Sequence, residues 1–163
     1  MKGYHYIKRG IDIILSGMAI VILSPLLLFL CIAIKLDTPG PILFKQKRVG
    51  IHRSFFQIYK FRTMRIDTPK DVPTHMLENP EQYITKVGKF LRKTSLDELP
   101  QIFNIFKGEM SIVGPRPALW NQDDLIAERD KYGANDVKPG LTGWAQVNGY
   151  RGDTSIRKRI ECD

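Results

Sequence analysis

The architecture of this chain turns on one stretch: Ile13-Ile14-Leu15-Ser16-Gly17-Met18-Ala19-Ile20-Val21-Ile22-Leu23-Ser24-Pro25-Leu26-Leu27-Leu28-Phe29-Leu30-Cys31-Ile32-Ala33-Ile34. None of its residues is charged, and about 22 residues span roughly 33 Å as a helix, enough for the hydrocarbon core of a bilayer. An ordinary transmembrane anchor is the plain reading. A secretory signal peptide fits poorly, because Lys35-Leu36-Asp37 ends the run without a small-residue cleavage site. A lipoprotein signal fails as well, since Leu30 precedes Cys31. Two details point to another path. Ser24-Pro25 lies near the middle, where proline removes a helix hydrogen bond and crowds the preceding turn. Basic residues flank both ends, Lys2, Lys8 and Arg9 before and a dense band after, and the positive-inside rule sends both flanks to the cytoplasm. A re-entrant helix that breaks at Ser24-Pro25 and returns to the same face meets both demands. A proline-kinked span also accommodates the proline.

The remaining length, out of 163 residues, suits one compact domain. The expected division is a membrane helix-break-helix over residues 1–36 and a catalytic domain on the cytosolic face over 37–163. The net charge is +8. Lys35, Lys45, Lys47, Arg48, Arg53, Lys60, Arg62 and Arg65 face the single acid Asp37 across residues 35–65, so most of the excess follows the apolar run. Such a band attracts anionic headgroups, phosphorylated substrates or nucleic acid. Cys31 and Cys162 form no disulfide framework, and His5, His52 and His75 show no metal-ligand spacing.

Asp37-Thr38-Pro39-Gly40-Pro41 breaks the chain after the membrane element. Ile42 to Phe44 and Phe55 to Tyr59 read as short strands joined near Gly50. Residues 67–80 read as a loop and Tyr83 to Lys93 as a helix with Ile84, Val87, Phe90 and Leu91 on one side. A second helix is expected from Glu98 to Lys107, ended by Gly108, and a polar one from Leu119 to Tyr132. The fold class is α+β, mainly helical, with short strands and no large parallel sheet.

Chemistry concentrates in Thr94-Ser95-Leu96-Asp97-Glu98-Leu99-Pro100-Gln101. Ser95-x-x-Glu98 matches a capping box, which opens helices with no catalysis involved. Pro100 is better placed if Asp97 is the cap, because the third helical residue needs no donor. An ionised Asp97 at that position caps a helix, binds metal or attacks phosphorus. Cations nearby favour the last two: Arg92, Lys60 and Arg62 on a strand end, and Arg116 held between Pro115 and Pro117. A carboxylate attacking a diphosphate needs cations to offset the repulsion, and the arginine fork suits phosphate oxygens. Mg²⁺, held by Asp97 and Glu98 with substrate phosphate, belongs to the same chemistry. Each cation alone is also consistent with a solvated surface charge.

Taken together, the motifs resemble the small bacterial sugar transferases, polyprenyl-phosphate phosphoglycosyl transferases that begin capsule, exopolysaccharide or glycoprotein glycan assembly. The matching stretches are Lys8-Arg9-x-x-Asp12, Ser24-Pro25, Phe44-Lys45-Gln46-x-Arg48-x-Gly50, residues 59–64, 94–101, 107–117 and 139–147, in the family's order. The resemblance implies a monotopic protein at the cytoplasmic face of the cell membrane, with a re-entrant helix broken at Ser24-Pro25. It implies that Asp97 attacks the sugar-bearing phosphate of a UDP-sugar, releasing UMP, and that undecaprenyl phosphate then takes the phosphosugar. Glu98 would bind Mg²⁺ or assist proton handling, and Lys60, Arg92 and Arg116 would hold phosphates. The implied partners are UDP-sugar, undecaprenyl phosphate and the membrane, with no nucleic acid; a homo-oligomer is compatible. Relatives continue beyond Gly143-Trp144-Ala145-Gln146-Val147 with a longer aromatic segment, whereas here a basic stretch, Arg157-Lys158-Arg159, leads to the end at Ile160-Glu161-Cys162-Asp163. A C-terminally truncated chain is therefore expected.

Two rival functions remain. A membrane-anchored basic module would bind acidic lipid or nucleic acid without catalysis, but gives no role to Asp97-Glu98 or the Pro-Arg-Pro turn. A membrane phosphohydrolase would use the same groups with water as acceptor.

Overall fold

A computed structural model describes residues 2–69 and 76–150. The first element, α1, runs Lys2–Asp37. It is long and apolar enough to cross a membrane, and only 11% of its most apolar window is buried against the protein, unlike the core helix of a soluble domain. The expected break at Ser24-Pro25 is not a break in the helical backbone, which continues with Pro25 inside it. Proline at position 25 leaves the Val21 carbonyl without its amide partner; Ser24 Oγ donates to that carbonyl at 2.8 Å. The Ser-Pro pair thus repairs locally what the proline removes.

Both ends of α1 are fastened to the same folded body. Near its start, Arg9 donates to the carbonyls of Ile105 and Phe106, each at 2.7 Å. Buried Asp12 accepts from Ser111 Oγ at 2.8 Å and from the Ile112 amide at 3.1 Å, while Lys8 donates to Ser111 Oγ and to the Val113 carbonyl. Near its end, Leu30 and Ile34 are buried against Phe61 and Leu91. Between and around these contacts Ile14, Leu15, Met18, Val21, Ile22, Leu28, Phe29 and Ile32 stay exposed.

The body begins with an antiparallel hairpin, β1 Leu43–Val49 and β2 Phe55–Phe61, paired from Leu43 opposite Phe61 to Val49 opposite Phe55. Strand alternation sends Phe56, Ile58 and Lys60 to the inner face. Helix α2, Lys86–Thr94, is capped by Thr85 Oγ1, which accepts from the Gly88 amide at 2.9 Å, and by Asp37, which accepts from the Val87 amide at 3.0 Å. A Cβ on Gly88 would lie 2.1 Å from the Thr63 carbonyl oxygen, so only glycine lets α2 lie this close to the chain after β2. Helix α3, Gln101–Lys107, ends at Gly108, whose φ of 93° is the left-handed conformation glycine tolerates. Fully buried Asn104 joins α3 to β2: it accepts from the Tyr59 amide at 3.0 Å and donates to the Gln57 carbonyl at 2.8 Å.

Strand β3, Ser111–Val113, pairs in parallel with β4, Gly140–Thr142. Pro139-Gly140-Leu141-Thr142-Gly143-Trp144 reads as a loop by its proline and glycines, yet Gly140–Thr142 is a strand. Three glycines permit the approach: a Cβ on Gly140 would meet the Gly114 nitrogen at 2.1 Å, and one on Gly143 the Gly114 oxygen at 2.3 Å. Between the strands lies α4, Asp123–Lys131, and after them one turn of helix, α5 Trp144–Val147. The described parts are mainly helical with two small sheets. The basic stretch Arg157-Lys158-Arg159 lies outside the described residues.

Candidate active site

Asp97 and Glu98 lie in a 3-10 turn, Leu96–Glu98, between α2 and α3. Ser95 ends α2 in a left-handed conformation, φ 58°, which reverses the chain into the turn. Pro100 precedes the first residue of α3, where its missing N–H leaves no bond unmade. Asp97 is therefore not the helix cap expected of it. The physical reason lies in its neighbours: Leu96 and Leu99 both pack on the cluster formed by Leu30, Ile34, Phe61 and Leu91. Burying both leucines against α1 sets the turn, and the two carboxylates between them project from it.

Glu98 is the hub of the site. Its Oε1 accepts from Lys60 Nζ at 2.9 Å and from Arg116 Nη2 at 3.0 Å. Burial works to raise its pKa, but Lys60 and Arg116 outweigh burial and hold it down to about 2. Asp97 moves the other way: burial raises its pKa and the adjacent Glu98 adds to the rise, against the opposing pull of Lys60 and Arg92. Burial, with Arg116 beside it, lowers the pKa of Lys60, although Glu98 and Asp97 resist the shift. Neighbouring carboxylates with opposed shifts are suited to different tasks, one a fixed counter-charge and the other a group that changes its bonding.

Of the cations expected here, Lys60 and Arg116 bond Glu98 directly, and Arg92 stands near enough to affect Asp97. Arg62 is elsewhere. It is buried, and its guanidinium donates to the carbonyls of Thr38 at 2.7 Å and Pro39 at 2.6 Å, tying the exit of α1 to the end of β2. A shallow cleft beside the site is lined by Arg48, Ile58, Lys60, Gln101, Arg116 and Pro117.

Two residues hold the site in place without belonging to the carboxylate and cation set that the sequence singles out. Asn104 fixes the strand that carries Lys60, and Arg48 donates to the Pro117 carbonyl at 3.0 Å, beside Arg116. For Arg48 a signal existed: it alternates with Phe44 and Gln46 along β1 and so faces inward.

Among the described residues no group of three or more His, Cys, Asp or Glu side chains forms a metal cage. The donors suit Mg²⁺ nonetheless. Both hydrogen bonds to Glu98 fall on Oε1, so Oε2 and the adjacent Asp97 offer hard oxygen ligands, and Mg²⁺ is commonly held by one or two carboxylates plus substrate phosphate.

Carboxylates of split pKa, set among cations on a turn that packs against a long apolar helix, make a site suited to holding phosphate groups. The comparisons identify the class: the bacterial sugar transferase family model matches residues 3–163, and the chain belongs to that family. A UDP-glucose:undecaprenyl-phosphate glucose-1-phosphate transferase of Escherichia coli (strain K12) is 41% identical over 96% of this chain and 35% of its own length. A protein of the same name from Caulobacter vibrioides is 44% identical, over 96% of this chain and 60% of its own. The exopolysaccharide production protein PSS of Rhizobium leguminosarum bv. phaseoli is 40% identical, with 96% and 83% covered. The chain thus spans about a third of the first relative and most of the last.

Proposed function

We propose that this chain carries the catalytic part of a phosphoglycosyl transferase that moves a sugar-1-phosphate from a UDP-sugar to undecaprenyl phosphate. The observation that carries the reading is the opposed pair: Glu98 held ionised by Lys60 and Arg116, next to Asp97 whose pKa is raised. In the first step an Asp97 oxygen attacks the sugar-bearing phosphorus, the P–O bond to UMP breaks, and UMP leaves with that electron pair. In the second, a phosphate oxygen of the lipid attacks the same phosphorus and the Asp97 carboxylate departs. A transfer is divided into two smaller barriers. Lys60, Arg92 and Arg116 offset the charge that gathers on the phosphate oxygens. Bound Mg²⁺, held by Glu98 and Asp97, would add charge neutralisation at the diphosphate.

The membrane arrangement we propose is monotopic, at the cytoplasmic face, with α1 bending at Ser24-Pro25 without breaking so that it enters and leaves on one side, and residues 37–163 forming the catalytic domain. Support comes from the double fastening of α1. Arg9 and Ile34 are about 37 Å apart along a helix, yet both touch the one small body, which leaves no hydrocarbon core of about 30 Å between them. Single cysteines placed at Lys8 and Thr38 should label from the same side of sealed vesicles; labelling from opposite sides removes this arrangement.

The reaction is tested by UMP release from a panel of UDP-sugars with Mg²⁺, with and without undecaprenyl phosphate. The panel begins with UDP-glucose and UDP-N-acetylgalactosamine, for which relatives are named. Release that the lipid phosphate multiplies is the expected result. Release indifferent to the lipid would favour hydrolysis, and silence across the panel removes the transferase.

A further inference from the structure

The Pro115-Arg116-Pro117 turn is held by its carbonyls. That of Pro115 accepts from the Gly140 amide at 2.8 Å, that of Arg116 from Arg129 Nη1 at 2.9 Å, and that of Pro117 from Arg48 Nη1 at 3.0 Å. Three donors from β4, α4 and β1 converge on three consecutive peptide groups. Two prolines already fix their own φ angles, and Arg116, preceding a proline, is restricted as well. What the local chain leaves open is the placement of the turn as a unit, and the three donors settle it.

Arg129 is the unusual member of this set. It is only 3% exposed, and a guanidinium so far from water is kept only where strong acceptors meet it. It is not among the residues that line the cleft. Its contact with the site runs through the backbone of Arg116, whose side chain reaches Glu98 Oε1 at 3.0 Å. A planar fork works by direction as well as charge, so a small tilt of the Arg116 peptide moves the fork off its partner.

We propose that Arg129 is a positioning residue for the transfer reaction: held in α4, it sets the orientation of the Arg116 fork by bonding the Arg116 carbonyl. The proposal rests on the reading of Arg116 as a phosphate-holding group in the transferase above. A role in packing alone would make Arg129 a matter of stability, independent of what side chain stands at position 116.

The test is a double-mutant cycle on the full chain in detergent, reading UMP release with Mg²⁺ and undecaprenyl phosphate, with melting temperature followed in parallel. Arg129→Met, which has no donor, should lower kcat/KM about tenfold or more, the scale of a lost hydrogen bond to a charged group. In an Arg116→Lys background the same change should cost less than about threefold, because a flexible ammonium depends little on peptide orientation. Arg129→Lys, which keeps a donor for the carbonyl, should stay within about threefold of the wild type. Equal losses in both backgrounds, or no loss, overturn the proposal. If Arg129→Met shows no cooperative melt, the lysine variant decides: a melt like wild type with a tenfold loss overturns it, and retained activity supports it. A wild-type chain that releases no UMP from any donor overturns the transferase reading and this inference with it, whereas an active wild type with additive losses overturns the inference alone.

Discussion

Lys60 Nζ lies 2.9 Å from Glu98 Oε1, a contact between the end of β2 and the turn before α3, 38 positions further on. Neither group is fully exposed. The pair therefore joins two elements of the fold and sets the electrostatics of the proposed nucleophile between them.

Its first consequence concerns acid stability. Glu98 has a folded pKa of about 2 against the usual 4.5. A depressed carboxylate contributes stability that is complete above the unfolded value and lost as pH falls through the folded one. In EDTA, unfolding free energy should fall by about 3 kcal/mol from Glu98 alone between pH 5 and pH 2. Glu98→Gln should flatten that segment of the profile, and should cost roughly 2 kcal/mol at pH 7 by leaving Lys60 and Arg116 without their shared partner. Denaturant titrations across this range check both.

Asp97 has the opposite sign. Its raised pKa means the folded state binds its proton more tightly than the unfolded chain does, so its ionisation opposes folding as pH rises past the ordinary Asp value. Asp97→Asn should therefore melt at or above the wild-type temperature in metal-free buffer at pH 7. The same variant should lose about a thousandfold or more in UMP release. A stable protein without turnover is the expected pairing; substantial turnover removes Asp97 as the nucleophile.

The glycine contacts make a prediction about stability without chemistry. Gly140→Ala places a Cβ 2.1 Å from the Gly114 nitrogen and Gly88→Ala one 2.1 Å from the Thr63 oxygen, in each case against backbone that cannot step aside. Either should destabilise by roughly 2 kcal/mol or more. Gly10→Ala, with nothing within 4 Å, should be neutral or slightly stabilising because alanine favours the helix. Melting temperatures of the three variants give the comparison.

Asp12 offers the cleanest way to loosen the anchor. Asp12→Ala removes the acceptor of both Ser111 Oγ and the Ile112 amide, one buried and one half-buried donor whose loss of partner should cost about 2 kcal/mol. Limited proteolysis should then cut between α1 and the body faster than in the wild type, while Ser24→Ala, remote from that contact, should not change the pattern.

Much of this fold is legible locally. The apolar run, the hairpin turn near Gly50 and the Gly108 stop all follow from residue type and spacing. What is lost is whatever depends on distant partners. Lys60 and Arg62 stand two residues apart at the end of β2, about 7 Å, and no local rule says that the first meets Glu98 while the second is spent on Thr38 and Pro39. Asp97 has the makings of a helix cap, but burial of Leu96 and Leu99 against α1 overrides that preference. The parallel pairing of β3 with β4 joins segments nearly thirty positions apart, and Arg129 meets Arg116 because α4, which carries it, packs back on the Pro-Arg-Pro turn.

The leucines on either side of the carboxylate pair rest on α1, and α1 is pinned at both ends. In the monotopic arrangement proposed above, α1 would act as a gauge rather than a leash, holding the carboxylates at one fixed height above the plane in which its apolar side lies. A donor arriving from water would descend to that height, and a lipid phosphate would reach it by drifting sideways within the leaflet. Encounter with such a second substrate would then be a search in two dimensions, its rate set by the fluidity of the membrane as much as by the protein.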